Sequence, residues 1–434
     1  MKRVLIITYY WPPSGGAGVQ RWLKFVKYLR DFGIEPIIYT PSNPEMPVED
    51  YSLLKDVPQN VEIIQLPIWE PYTWYKRWVG VKPSEKINTG FLSETEKPKK
   101  TESIGVWIRG NFFIPDARCF WIQPSIRFLK KYLKENPVEA IISTGPPHSM
   151  HRIALGITKS MNIPWIADFR DPWTNIDFYD QLMLTTWADK RHHLMELEVI
   201  QNAQHIVTVT SADAKDFIAK GAKAATQITN GFDDEFKSDV DQDKAFSLVH
   251  VGSIPPARNH TSLWKAISNL QKEQPSFSQD FQLQLIGKTD ISVKKSVQEW
   301  NIEHNIEFVP YLAHDEAVLR QQKAQVLLLL INDSRNAKSI LTGKFFEYLA
   351  ARRPILAIGP KDGEVAAILE STGAGICLDF QDQKGIENAL KSYYEQWLAN
   401  GKCSIPHTTI ENYSRKKLTE KLSKIIHSLT HEET

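Results

Sequence analysis

Two α/β domains, each built on a doubly wound parallel sheet, are the fold class this sequence predicts, on three observations. Short apolar runs with strand character alternate with segments of helical period, and the alternation occurs twice along the chain. A polar, acidic stretch from Asp233 to Lys244 separates the two series. With 434 residues, 42% hydrophobic and 24% charged, the chain exceeds a single core and divides most simply into two domains of about 200 residues.

The first series opens with the apolar run Val4 to Thr8, read as a strand. A loop, Tyr9 to Gly18, leads into a helix from Val19 to Phe32, which Gly33 can cap in the left-handed conformation, and Ile34 to Thr40 is the next strand. This is a βαβ unit. A strand at Val138 to Ser143, a helix at Ser149 to Met161, and strands at Pro164 to Asp168 and Ile206 to Thr210 continue it. The segment Ile228 to Asp233 breaks the pattern. A second series places strands at Phe246 to Val251, Gln282 to Ile286, Ile306 to Val309, Val326 to Ile331 and Ile355 to Ile358, with helical segments between. An amphipathic helix follows near Ser414 to Leu429. The expected domains are therefore 1–230 and 246–410, a linker at 231–245 between them, and a C-terminal helix within 411–434.

Composition excludes several classes. A net charge of +1 gives no global field for nucleic acid, and none is expected as a partner. Cys119, Cys377 and Cys403 are far apart and odd in number, so neither a disulfide framework nor a zinc site is indicated. The apolar run behind Lys2 and Arg3 is too short for a signal peptide, and the longest one, Val326 to Ile331, is far below the roughly 20 residues that span a bilayer. A cytoplasmic protein is expected.

The chemistry concentrates where predicted strands end. Pro12-Pro-Ser-Gly15-Gly16-Ala-Gly18 is glycine-rich and opens a helix, but its spacing lacks the third glycine of a dinucleotide fingerprint, and the next strand ends in Tyr39-Thr40-Pro41 without a ribose-binding acid. Gly15 and Gly16 are its candidate contacts with a substrate, unless the loop is only a tight turn. After the next strands come Ser143-Thr-Gly-Pro-Pro-His148 and Asp168-Phe-Arg170-Asp171-Pro-Trp173. Asp168, Arg170 and Asp171 read either as site residues or as a structural ion-pair knot. In the second series, Ser339-Ile-Leu-Thr342-Gly343-Lys344-Phe-Phe-Glu347 joins a polar loop to a helix start. Unpaired N–H groups, the positive end of the helix dipole and the Lys344 charge suit a phosphate there, and Glu347 suits a ribose diol. The alternative for Glu347 is a plain ion pair with Arg352 or Arg353.

This last passage resembles the donor-binding signature of family 4 glycosyltransferases, retaining enzymes that use nucleotide sugars. Ser339 stands where that family carries a first glutamate, and Glu347 matches the second. The resemblance implies the GT-B fold, two Rossmann-like domains facing across a cleft with the final helix crossing back. It implies transfer of a hexosyl-type sugar with retention to a glycan or lipid-linked acceptor. It places donor binding at Gly15, Gly16, Arg258, Thr342, Gly343, Lys344 and Glu347. Ser253 replaces the family's arginine after Gly252, and Arg258 stands in its lysine's place. Leu285-Ile-Gly287-Lys288 and Val309-Pro-Tyr311 are similar to base-binding edges. The resemblance also implies catalytic roles for His148, Arg170 and Asp171, with His151 as a second histidine candidate. No metal or other cofactor is expected, since cations and a helix terminus replace magnesium. Rival readings are a GT-B sugar-nucleotide epimerase, using Asp168 and Asp171 as acid and base, and a catalytically silent sugar-nucleotide-binding protein.

The region 69–131 fits no regular pattern. Its Trp69, Trp74, Trp78, Trp107 and Trp121, with Lys97, Lys99 and Lys100, suit either peripheral contact with the inner face of a membrane or an ordinary core and surface.

Overall fold

A computed structural model describes residues 1–46, 48–70, 107–176, 179–233, 240–404 and 408–430. The chain forms two compact units, Met1–Thr229 with Arg415–Thr434, and Asn230–Ser414.

Unit 1 holds a seven-stranded parallel sheet in the order β3-β2-β1-β4-β5-β6-β7. Its strands are β1 Lys2–Ile7, β2 Ile34–Pro41, β3 Glu62–Leu66, β4 Ala140–Gly145, β5 Trp165–Phe169, β6 His205–Thr208 and β7 Ala225–Gln227. Both faces are covered, which is why the central strands read as unbroken apolar runs. Alternate residues of β1 serve opposite cores: Leu5 and Ile7 pack with Ile141, Met150 and Trp165, whereas Val4 and Ile6 pack with Trp22, Ile142, Leu422 and Ile426. The last two residues belong to the helix Arg415–Thr430, so the chain's final helix is part of this unit. Strands β3 and β7 have no strong pattern in sequence, because edge strands need less apolar surface.

Within 69–131 the structure adds a helix and decides the reading of Trp121. Cys119–Glu135 is a regular helix that buries Trp121, Ile126, Leu129 and Leu133, so the irregular region is shorter and Trp121 is core. Trp69 and Trp107 are exposed, while Trp74, Trp78, Lys97, Lys99 and Lys100 lie outside the described residues. Among the described residues no helix is long and apolar enough to cross a membrane.

Unit 2 holds a six-stranded parallel sheet in the order β10-β9-β8-β11-β12-β13. These strands are β8 Phe246–Val251, β9 Phe281–Ile286, β10 Ile306–Val309, β11 Val326–Leu330, β12 Ile355–Ile358 and β13 Gly375–Leu378, the last of them a short edge strand that the sequence reading lacks. Phe246, Trp264, Leu283, Leu328 and Tyr394 lie in its core. Strand order reverses between β1 and β4 in one sheet and between β8 and β11 in the other. Ligands of doubly wound sheets bind beyond the carboxyl ends of the strands at such points.

Candidate functional site

In unit 2 the switch point is physically open. Strands β8 and β11 pair only at Leu248 with Val326 and Val249 with Leu327. Past this the strands part, and side chains take over the ladder. Val251 N–H donates to Tyr348 Oη (2.8 Å), and His250 Nδ1–H donates to Leu328 O (2.9 Å). His250 Nε2 is buried without a partner, and burial is the main reason its pKa falls to about 3, helped by the Lys344 and Arg258 charges.

Above this gap lies Lys344. Gly252 and Gly287 end β8 and β9 with φ of +127° and +115° and pack backbone to backbone, since a Cβ on Gly287 would stand 2.9 Å from Gly252 O. A Cβ on Gly252 would stand 1.6 Å from Lys344 Nζ, so the ammonium occupies the space that a side chain there would fill. Arg258 is fixed nearby. Its Nε donates to Asn332 Oδ1 (2.7 Å) and its Nη1 to Ser253 O (3.1 Å), while Asp333 N–H holds its loop through Ala257 O (2.9 Å).

The two cations act on one another. Burial lowers the Lys344 pKa, Arg258 lowers it further, and Glu347 opposes both. Burial also depresses Arg258. Among the described residues neither side chain has a carboxylate in salt-bridge contact.

The helix Gly343–Ala351 starts beside them. Its N-cap, Thr342, makes no side-chain capping bond, which leaves first-turn N–H groups open, and a Cβ on Gly343 would meet nothing within 4 Å. A phosphate could approach that backbone closely. Glu347, one turn on, is half-buried and accepts only a long bond from Gln321 Nε2 (3.4 Å). The ion pairs that would make it merely structural are absent: Arg352 pairs with Glu411 (2.9 Å), and Arg353 donates to Gln322 O (2.7 Å). Thr342, Gly343, Lys344, Glu347 and Arg258 are thus brought together. The sequence reading missed His250, Tyr348 and the seat that Gly252 provides. Only the glycine after a strand was visible as a signal.

In unit 1 the candidates fare differently. Asp168, 1% exposed, pairs with Arg21 (2.9 Å), itself 2% exposed, and also accepts from Trp22 Nε1 (2.7 Å) and Thr144 Oγ1 (2.8 Å). Arg21 donates onward to Ile228 O (2.8 Å) and Thr229 O (2.9 Å). The ion-pair knot exists, but its arginine is Arg21 and not Arg170. A charge amid the apolar positions Val19, Trp22, Leu23 and Val26 was the available hint.

Arg170 donates to Gly145 O (3.4 Å), Gly18 O (2.6 Å) and Pro146 O, so it ties its own segment to the end of β4 and to the start of the helix Ala17–Leu29. Asp171 is exposed beyond the strand end. Gly15 is closely packed: a Cβ there would stand 3.1 Å from Asp50 Cβ and 3.2 Å from Val48 Cγ1, so those side chains would have to shift by a few tenths of an ångström. Gly16 has φ of +91° and open space.

His148 and His151 both lie over Gly145. His148 stacks on Trp173 at 4.6 Å between centroids, and Trp173 is held in turn by Glu196, which accepts from the Trp173 and Thr174 N–H groups (3.2 and 3.1 Å). Burial keeps both histidines neutral, His151 at about 3 and His148 well below its ordinary range.

No family model matches the chain, and no curated protein matches it in sequence. In structure it is similar to HepE of Anabaena in complex with UDP-glucose, at 10% identity over 99% of this chain and 100% of that one, TM-score 0.58. It is similar also to the lipopolysaccharide outer core galactosyltransferase WaaB (12% identity, 99% of each chain, TM-score 0.58). A Listeria monocytogenes protein assigned as a UDP-N-acetylglucosamine 2-epimerase matches too, at 12% identity over 100% of this chain and 97% of that one, TM-score 0.54. At these identities the likeness is one of fold, and the fold is GT-B: two Rossmann-like domains on parallel sheets of seven and six strands.

Proposed function

We propose that the protein is a glycosyltransferase that moves a sugar from a nucleotide sugar to a glycan or lipid-linked acceptor. One observation carries this: Lys344 and Arg258, two cations with depressed pKa and, among the described residues, no carboxylate in salt-bridge contact, stand beside a helix start without a side-chain cap where β8 and β11 part. Such a seat suits the diphosphate that departs during transfer. Support comes from HepE, whose structure is similar and which was crystallised with UDP-glucose.

The residues imply how transfer would run. Arg258 offers a planar fork and Lys344 a point charge to the diphosphate, while the helix start supplies N–H groups. These stabilise the leaving group as its bond to the sugar breaks. In unit 1, His148 is the residue that the family resemblance proposes as a sugar contact. Being neutral, it would serve by hydrogen bonding and not by charge. Retention, as in family 4, would follow from attack on the face that the leaving group vacates, with a phosphate oxygen taking the acceptor's proton.

The epimerase reading has a structural neighbour but loses its chemistry. Its acid and base were to be Asp168 and Asp171, and Asp168 is locked under Arg21, Trp22 and Thr144.

Three outcomes test the proposal. Lys344→Ala and Arg258→Ala should each weaken nucleoside diphosphate binding by roughly 1.5–3 kcal/mol, about one to two powers of ten, with the fold retained. Calorimetric affinities equal to the parent's would remove the phosphate seat. Sugar transfer should persist in EDTA, and a strict need for added magnesium would show that the two cations are insufficient. Glu347→Gln should cost a similar 1.5–3 kcal/mol in donor affinity. A 2′,3′-dideoxy nucleotide should lose as much against the parent and little more against the variant, because both changes delete one contact. Additive losses would take the ribose away from Glu347.

A further inference from the structure

Unit 1 contains a chain of hydrogen-bonding groups that ends at His151, the neighbour of the histidine assigned above to the sugar. It begins with the indole of Trp165, fully buried on β5, whose Nε1–H donates to Ser143 Oγ (2.9 Å). Ser143 Oγ lies 2.8 Å from His151 Nδ1. An indole nitrogen can only donate, so Ser143 accepts there. Its own hydrogen has no other acceptor among the described residues, and it therefore goes to His151 Nδ1. His151 is neutral, so its hydrogen must sit on Nε2.

That Nε2–H is fully buried and unpartnered, and so is Nδ1 of His148. The two nitrogens converge over Gly145. A Cβ there would stand 2.7 Å from His151 Nε2 and 2.9 Å from His148 Nδ1. One atom carries a hydrogen without an acceptor. The other, if it lacks hydrogen, is that acceptor. No hydrogen bond joins them in the structure, and one formed between them would satisfy both at once.

We infer that His151 is a positioning residue for His148: the relay from Trp165 through Ser143 to His151 leaves His148 Nδ1 as an acceptor and places its hydrogen on Nε2. Of the two histidines only His148 keeps any exposed surface, 8% against 0%. Its stacking on Trp173 fixes the ring plane, and the relay fixes the tautomer. His148 thus presents a hydrogen-bond donor, which suits a hydroxyl oxygen of the transferred sugar and not a sugar proton to be abstracted. This last step rests on the glycosyltransferase reading; the tautomer does not.

The test is ¹⁵N spectroscopy of histidine-labelled protein, with His148 and His151 assigned by substitution. Both should be in the Nε2–H form near neutral pH. Ser143→Ala should abolish the single tautomer of His148 and lower kcat about tenfold, with KM for the donor unchanged, a factor that corresponds to about 1.4 kcal/mol in the barrier. His151→Gln, which offers an acceptor to Ser143 and an amide donor to His148, should keep the His148 tautomer. His151→Phe should lose it. A parent His148 in the Nδ1–H form, or a His148 tautomer indifferent to Ser143→Ala and His151→Phe, would overturn the relay. Failure to transfer any sugar while the tautomers behave as stated would overturn the enzymatic reading alone.

Discussion

Replacing Asp168 by alanine is expected to destabilise unit 1 by about 3–5 kcal/mol, because it leaves the buried Arg21 guanidinium without its counter-charge. Arg21 also holds Ile228 O and Thr229 O, so the loss should loosen the end of that unit. Urea unfolding followed by tryptophan fluorescence measures it, and a loss under about 1 kcal/mol would show that the pair is solvated. Burial raises the Asp168 pKa, but the Arg21 charge and the bonds from Arg21, Trp22 and Thr144 outweigh it, and the result lies below 3.8. The sign follows. The pair's contribution is complete above the ordinary carboxylate pKa and is lost as pH falls below 3.8 through the folded value. Joint replacement, Arg21→Met with Asp168→Leu, should cost far less than either single change, since no charge is left unpaired.

Gly252→Ala should produce the second large effect, on two scales. The residue has φ of +127°, and an added Cβ would stand 1.6 Å from Lys344 Nζ. The backbone strain should cost about 1–3 kcal/mol of stability. Displacing the ammonium should also cost diphosphate affinity by about the amount that Lys344→Ala does. Combined with Lys344→Ala, the substitution should lower the melting temperature without further loss of affinity, since both changes act on one group. A full additional loss in calorimetry would show that Gly252 contributes by another route than the Lys344 ammonium.

Much of the fold was legible because its cause is local and periodic. Runs such as Val4 to Ile7 and Val326 to Leu330 are apolar throughout, which only a strand covered on both faces tolerates in a repeated β/α pattern. Strands β3, β7 and β13 were not legible. Their partners on one side supply the pairing, and their burial is too slight to leave a pattern. The helix Cys119–Glu135 was hidden because Pro124 and its neighbouring aromatics disguise its period.

Of the site, the sequence by itself determined what lies within one turn of chain: a glycine, a lysine and a glutamate at the start of a helix that follows a strand. Local spacing fixes such neighbours whatever the rest of the molecule does. Tertiary structure alone decided the meaning of charges that meet over long separations. Asp168 reads equally as acid, base or brace until Arg21 is brought to it, 147 positions away. Arg258 reads as a solvated surface arginine until the parting of β8 and β11 sets it beside Lys344. Burial then strips both cations of water and leaves an anion as their natural complement. Charges act through space and burial acts through the whole fold, so neither is written in the spacing of a single segment.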